Sequence, residues 1–223
     1  MTKKNFPGKV ALVTGGGGRF GRVLCQALAQ RGCSLVVGDC DLSAARETAA
    51  QTQGLALGLD VRDPPMWLNA LTSARDLFGS VDFIFHCAQH HGEGNSAEDF
   101  TQVWATQITA LEIAQRAYSA DFAKTGGSHI IFVSAAAWIP DGARPLWSAA
   151  EAAKRHWHKA NQQSPTRVPS TLIAYDVPPR TNGKTPNDEI AAATLWALAR
   201  GTRDAFVPGG FGVRGFCRKA ASD

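Results

Sequence analysis

The junction "KVALVTGGGGRFGRVLCQALAQR", residues 9–31, constrains the fold of this 223-residue chain more than any other stretch. Residues 9–14 read as a buried strand, because aliphatic side chains run on without polar alternation. Residues 20–31 put Val23, Leu24, Ala27 and Leu28 on one face of a helix. A strand joined to a helix by glycines is how a βαβ unit begins, and such units build parallel sheets covered by helices.

The rest of the chain alternates in the same way. Further strands are expected at 33–39, 55–60, 80–88, 128–136, 170–176 and 205–209, and helices at 41–52, 66–78, 97–105, 107–123, 146–161 and 187–200. Pro64 and Pro65 stand where the first turn of a helix tolerates proline. The strands are mostly continuous apolar runs, as in a sheet buried on both faces. The expectation is one domain over 1–223, a doubly wound α/β Rossmann fold with a parallel sheet of seven strands.

Composition narrows the function classes. An apolar share of 44% and a charged share of 19% are those of an ordinary globular chain. The net charge of +4 is a mild excess with no Lys/Arg cluster, so no nucleic-acid partner is expected. Five cysteines without a CxxC spacing indicate neither a disulfide framework nor a zinc site, and three of them are expected as small core residues. After "MTKKNF" the glycines interrupt any signal-peptide core, and no run approaches 18 apolar residues. A cytoplasmic protein with no membrane partner and no metal is expected.

The loop "TGGGGRFG", Thr14 to Gly21, has the setting in which backbone N–H groups reach a pyrophosphate at a helix N-terminus. Four glycines are equally compatible with a flexible turn. Asp39 follows the second strand, where a carboxylate can accept both hydroxyls of an adenosine ribose and repel a 2′-phosphate, which favours NAD over NADP. The plainer alternative is that Asp39 or Asp41 caps the next helix. Asp60, at the end of the third strand, is placed to receive an adenine amino group, or is a strand-end acid and no more.

Taken together, "TGGGGRFG", Asp39, the Asp60–Val61 pair, "FIFHCAQ", "IIFVSAAA" and the helix from Trp147 resemble the short-chain dehydrogenase/reductase family over nearly the whole chain. The resemblance implies a cofactor site from Thr14, Gly15, Gly17, Gly18, Arg19, Phe20, Gly21, Asp39, Asp60, Val61 and Ala88. Arg19 stands where the family has its middle glycine, so it either obstructs the pyrophosphate or pairs with it. Only Ala88 is kept from the family's Asn-Asn-Ala-Gly segment, which reads His86-Cys87-Ala88-Gln89 here, with His86 most simply a strand-end residue.

At the family's catalytic positions the resemblance gives Gln107 for the asparagine that holds a relay water, Ser134 for the serine, Trp147 for the tyrosine and Glu151 for the lysine. Ser134 lies 13 residues before Trp147, the family's own offset. An indole offers an N–H donor that does not usefully ionise, so the tyrosine's proton transfer is closed. Glu151 could accept ribose hydroxyls but reverses the field that a phenolate needs. Lys154 reads as the partner of a local ion pair with Glu151, and His90 or His91 as a replacement proton donor. Tyr175 reads as packing, and Pro178, Pro179 and Thr181 as remnants of the segment near the nicotinamide amide.

The leading expectation is therefore a degenerate member of the family with a nucleotide-binding or assembly role. The alternative is an NAD-dependent oxidoreductase acting on a small carbonyl or alcohol with a non-standard proton donor. The resemblance implies a homodimer or homotetramer through the helices at 107–123 and 146–161, with Trp104, Ile113 and Trp157 as contributors of apolar area or, equally, as core residues.

Overall fold

The computed structural model describes residues 6–90, 96–164, 168–175, 186–202 and 204–207. Seven parallel strands, β1 (Val10–Thr14), β2 (Ser34–Asp39), β3 (Leu55–Gly58), β4 (Phe83–His86), β5 (Ser128–Ser134), β6 (Ser170–Tyr175) and β7 (Asp204–Val207), pair in the order β3-β2-β1-β4-β5-β6-β7. The helices are α1 (Arg19–Ala29), α2 (Leu42–Thr52), α3 (Pro64–Phe78), α4 (Ala97–Trp104), α5 (Ala110–Thr125), α6 (Pro145–Gln163) and α7 (Pro186–Arg200). This is the expected Rossmann-type α/β architecture. Chain order reverses between β1 and β4, where open sheets of this kind leave a crevice at the strands' carboxyl ends.

Strand parity sorts the core into two layers. Ala11, Val13, Leu35, Val37, Phe85, Ile130, Phe132 and Ile173 face one side, where they meet Leu24 and Leu28 of α1 and Ile190 and Leu195 of α7. Val10, Leu12, Val36 and Ile84 face the other, against Trp67 and Leu71 of α3 and Ala114, Tyr118 and Phe122 of α5. Each strand is apolar on both sides for that reason. Trp67 also donates its indole N–H to the Val61 carbonyl at 2.9 Å, which fixes the chain leaving β3.

Several boundaries differ from the expectation. Strands end sooner, β4 at His86 and β5 at Ser134, because the chain turns away at the carboxyl edge, β5 into a single 3₁₀ turn, Ala135–Ala137. The helices expected at 97–105 and 107–123 are joined by a π-helical turn, Ala105–Thr109, which carries Gln107. Single π turns are characteristic of functional positions in helices. Trp157 packs inward, edge-on to His129, rather than offering an outer surface. Ile113 is likewise packed against the core, whereas Trp104 is exposed and stacked on Phe100. Cys25 and Cys33 are buried as small core residues, Cys40 is exposed, Cys87 lies between, and Cys217 is outside the described residues.

Three histidines lie inside. His86 holds the Thr106 carbonyl at 3.1 Å, His129 stands 5.8 Å from it ring to ring, and His158 bonds Ser170 Oγ at 2.9 Å and Asp204 at 3.0 Å. Burial lowers the His86 pKa from 6.5 to about 4, and burial followed by the neighbouring imidazoles lowers that of His129 well below its ordinary value. The unfolded chain takes up these protons near 6.5, so folding is at full strength above that pH and weakens as pH falls toward 4. For His86 the loss is on the order of 3 kcal/mol. Denaturant titrations between pH 7.5 and 4.5 should show this decline, on the order of three pH units wide, and His129→Leu should make it shallower.

Candidate functional site

The site grows from the end of β1. Thr14 Oγ1 donates to the Phe85 carbonyl at 3.4 Å and accepts the N–H groups of Cys87 and Ala88, each at 3.2 Å. One hydroxyl thus binds the exit of β4 to the start of the glycine loop. Gly15 has φ +61°, and a Cβ there would lie 2.9 Å from the Ala88 backbone. A Cβ on Gly21 would overlap the Gly15 carbonyl. These two positions need glycine for distinct reasons, left-handed backbone at one and close approach of helix to loop at the other. The helix α1 then begins at Arg19 with no side-chain cap, so the N–H groups of its first turn are open to a ligand.

Beside the loop stands Asp39, whose Oδ2 accepts the Gly17 N–H at 2.9 Å and whose Oδ1 accepts Asp41 N–H at 3.0 Å. Asp41 caps α2, through the N–H groups of Ser43 and Ala44. The choice left open by sequence is resolved: Asp41 is the cap, and Asp39 faces the crevice. Asp60 is differently engaged. The Arg62 guanidinium wraps it, with Nη2 at 2.6 Å and Nε at 2.8 Å, and holds its carboxyl below the usual carboxylate range. A carboxylate expected to meet an adenine amino group is already paired.

The crevice has a volume of 540 Å³, within the usual range for small-molecule sites. Asp39, Cys40, Asp60, Val61 and Arg62 line one end, Gly15, Gly18, Arg19, Phe20 and Gly21 the middle, and Cys87, Ala88, Gln89, Thr106, Tyr175 and Asn187 the other end. Gly17 contributes through its contact with Asp39 rather than as part of the wall. Arg19 is exposed and makes no ion pair among the described residues. Phe20 packs edge-on against Phe132, 4.9 Å between ring centres.

None of Gln107, Ser134, Trp147 and Glu151 lines this crevice, and each is at most 5% exposed. Glu151 is expected to reach a ribose but is turned inward. Its Oε2 accepts the Ser134 N–H at 2.5 Å, and its Oε1 meets Lys154 Nζ at 2.5 Å. Lys154 donates onward to the Phe132 carbonyl at 2.9 Å. The pair is the local ion pair expected from the spacing, but it is wholly buried and bridges α6 to β5. Ser134 Oγ accepts the Ala136 N–H at 3.2 Å and so closes the turn after β5. Trp147 lies beneath Arg144, whose guanidinium carbon is 4.1 Å from the ring centre. Gln107 donates to the His90 carbonyl at 2.8 Å, while its Oε1 is buried with no protein partner among the described residues.

The histidines do not come together as donors. His90 is exposed and does not line the crevice, and His91, with Pro178, Pro179 and Thr181, lies outside the described residues. Tyr175, read from the sequence as packing, does pack against the core and is also on the crevice wall, paired in register with Ser134. Burial first, and then the Glu151 carboxylate, push its phenol well above the ordinary tyrosine value, while the Gln89 side chain works against them. Its place as the last residue of a parallel strand is the signal that would have found it, since ligands of open α/β sheets sit at that edge.

Sheet order, glycine turn and crevice together define a Rossmann-type nucleotide-binding architecture. The sequence profile described as short chain dehydrogenase matches residues 9–167, and the chain belongs to that family. A 2,5-dichloro-2,5-cyclohexadiene-1,4-diol dehydrogenase of Sphingobium indicum is 30% identical over 163 residues, which are 69% of this chain and 65% of that enzyme. The match therefore spans just under two thirds of that relative's length. A short chain dehydrogenase/reductase of Burkholderia phymatum, solved in complex with NAD, superposes with a TM-score of 0.79 at 18% identity, covering 93% of this chain and 90% of the other. A 3-ketoacyl-(acyl-carrier-protein) reductase of Brucella melitensis, complexed with NADH, gives 0.79 at 20% identity, covering 92% and 98%.

The ion pair makes a stability prediction. Glu151→Ala leaves Lys154 as an uncompensated buried cation, and should cost about 3–5 kcal/mol in denaturant unfolding. Replacing both, Glu151→Met with Lys154→Met, should recover most of that loss, since no charge remains buried.

Proposed function

We propose that this chain is an NAD-binding member of the family whose tyrosine and lysine positions have become part of the fold. The observation that carries the reading is the Glu151 carboxylate, held between the Ser134 N–H and Lys154 and withdrawn from the crevice. The family's proton transfer needs an ionisable hydroxyl beside a free cation, and here an indole stands beside an ion-paired carboxylate. Restoring the two side chains would not restore the chemistry. Trp147→Tyr with Glu151→Lys would set two buried cations side by side at 151 and 154, and such a variant should lose stability rather than gain turnover.

The cradle itself fits a dinucleotide. A Cβ on Gly15 or Gly21 would fill space that the turn leaves only to backbone, and the open N–H groups of α1 face the same crevice. Asp39 would take the adenosine ribose hydroxyls and disfavour a 2′-phosphate, with Arg19 beside the pyrophosphate. When bound, the nicotinamide would supply hydride chemistry; the chain's residues would bind, orient and exclude water.

Calorimetric titration with NAD, NADH, NADP and ADP-ribose tests the reading. NAD should bind at micromolar concentration and more tightly than NADP, and Asp39→Ala should weaken NAD about tenfold while narrowing the gap to NADP. Failure of NAD, NADH and ADP-ribose alike would sink it. Arg19→Gly decides the remaining question at the loop, since weaker binding assigns the arginine as a clamp and tighter binding as an obstruction.

A second reading, an NAD-linked oxidoreductase for a small carbonyl or alcohol, is favoured by the dehydrogenase activity named for the Sphingobium relative. It needs a proton source other than position 147, and His90, exposed outside the crevice, does not provide one. A homo-oligomer is supported by the exposed Phe100–Trp104 stack on α4; light scattering of the wild type and Trp104→Glu tests it, with dissociation of the variant expected.

A further inference from the structure

Away from the crevice, one cluster of side chains has the arrangement of a nucleophilic site. His158 of α6 lies between Ser170, the first residue of β6, and Asp204, the first residue of β7. Its Nδ1 is 2.9 Å from Ser170 Oγ, and its Nε2 is 3.0 Å from Asp204 Oδ1. An ionised carboxylate only accepts, so the ring proton sits on Nε2 and Nδ1 is left to take the serine proton. Gln162 Nε2, 3.1 Å from the same ring nitrogen, has the Ser170 carbonyl at 3.4 Å as its acceptor. The two ring nitrogens are exchanged relative to the triad of the serine proteases. The roles are the same, with a base facing the hydroxyl and a carboxylate behind it that fixes the tautomer.

The serine oxygen is also oriented from its other side. It accepts the Asn161 Nδ2 amide at 3.1 Å, and Gln115 sets which way that amide faces by donating to Asn161 Oδ1 at 2.9 Å. With its proton directed to His158 and one lone pair to Asn161, the hydroxyl keeps a second lone pair for an electrophile. Ser170 and Gln162 stand on the wall of a cavity of 360 Å³, at the low end of the range for small-molecule sites. That cavity lies at the amino edge of the sheet, where β5 and β6 begin, and shares no described residue with the crevice. Phe83, Val168 and Leu198 give it apolar walls. Among the described residues no carboxylate lines it, and its one cation, Lys9, is paired with Asp82 at 2.6 Å. Such a space suits a small uncharged molecule.

We infer that Ser170, His158 and Asp204 form a second site, for acyl transfer from small uncharged esters, independent of the nucleotide crevice. Ser170 Oγ bonds to the ester carbonyl carbon as its proton passes to His158 Nδ1. The bond from that carbon to the alcohol oxygen then breaks, and the alcohol leaves with the proton. Water, losing a proton to the same ring nitrogen, next adds to the acyl group on Ser170. The carboxylic acid departs, and the proton returns to Oγ. Asp204 acts through His158 and is a positioning residue.

A small alkyl fluorophosphonate tests the nucleophile in the wild-type chain, since the serine oxygen would displace fluoride at phosphorus and leave a stable adduct. Peptide mass mapping should place that adduct on Ser170. Release of p-nitrophenol from p-nitrophenyl acetate should fall about 10²-fold or more in Ser170→Ala and in His158→Gln. Asp204→Asn should lower kcat with KM unchanged. No adduct on the wild type, an adduct on another residue in place of Ser170, or wild-type turnover in Ser170→Ala would overturn the site. The wild-type map decides the matter even where a variant fails to fold.

Discussion

The contact on which the site depends is the Glu151 carboxylate, clasped by the Ser134 N–H and the Lys154 ammonium in full burial. A charge taken out of water is tolerated only when its partners saturate it. Here the pairing is extended, because Lys154 also donates to the Phe132 carbonyl and so binds the same stretch of β5 from one turn further along α6. The result is a helix docked on its strand by polar bonds as well as by apolar packing. A side chain fixed in this way cannot also serve a ligand.

That constraint divides the crevice. Its β2 and β1 end keeps what a nucleotide needs, a carboxylate facing inward at Asp39 and a glycine turn tied to β4 by Thr14. At its other end Gln107, Ser134, Trp147 and Glu151 are buried, and the wall is made by Gln89, Thr106 and Tyr175.

The fold was legible because its causes are local. Aliphatic strands, a glycine joint and helical spacing appear in the sequence at fixed intervals, and the sheet follows from handed βαβ connections. Asp39 lies on the crevice wall because of its place at a strand end, whereas Thr14, read as part of the cofactor loop, is buried beneath that wall and ties the loop to β4. Glu151 was legible in identity but not in direction, since helical spacing places it beside Lys154 without saying which way the pair points. Tyr175 packs on the core as its place at the end of an apolar strand suggests, and that same strand-end position also sets it on the crevice wall. The π turn at Ala105–Thr109 has no signature in residue spacing, because both flanking helices keep their own apolar faces.

The departures from the family pattern are coupled through charge. The Lys154 ammonium adds to the burial that keeps His86 neutral. A lysine at 151 would place a second cation beside Lys154, in an interior with no further carboxylate facing it from β4, β5 or α6 among the described residues. A carboxylate at 151 is the choice that balances Lys154, and once it is there a tyrosine at 147 would have its ionisation opposed rather than aided. Tryptophan at 147, which never ionises, removes the conflict. Trp147 and Glu151 are in this sense compatible with one another and with the charge that α6 carries at Lys154.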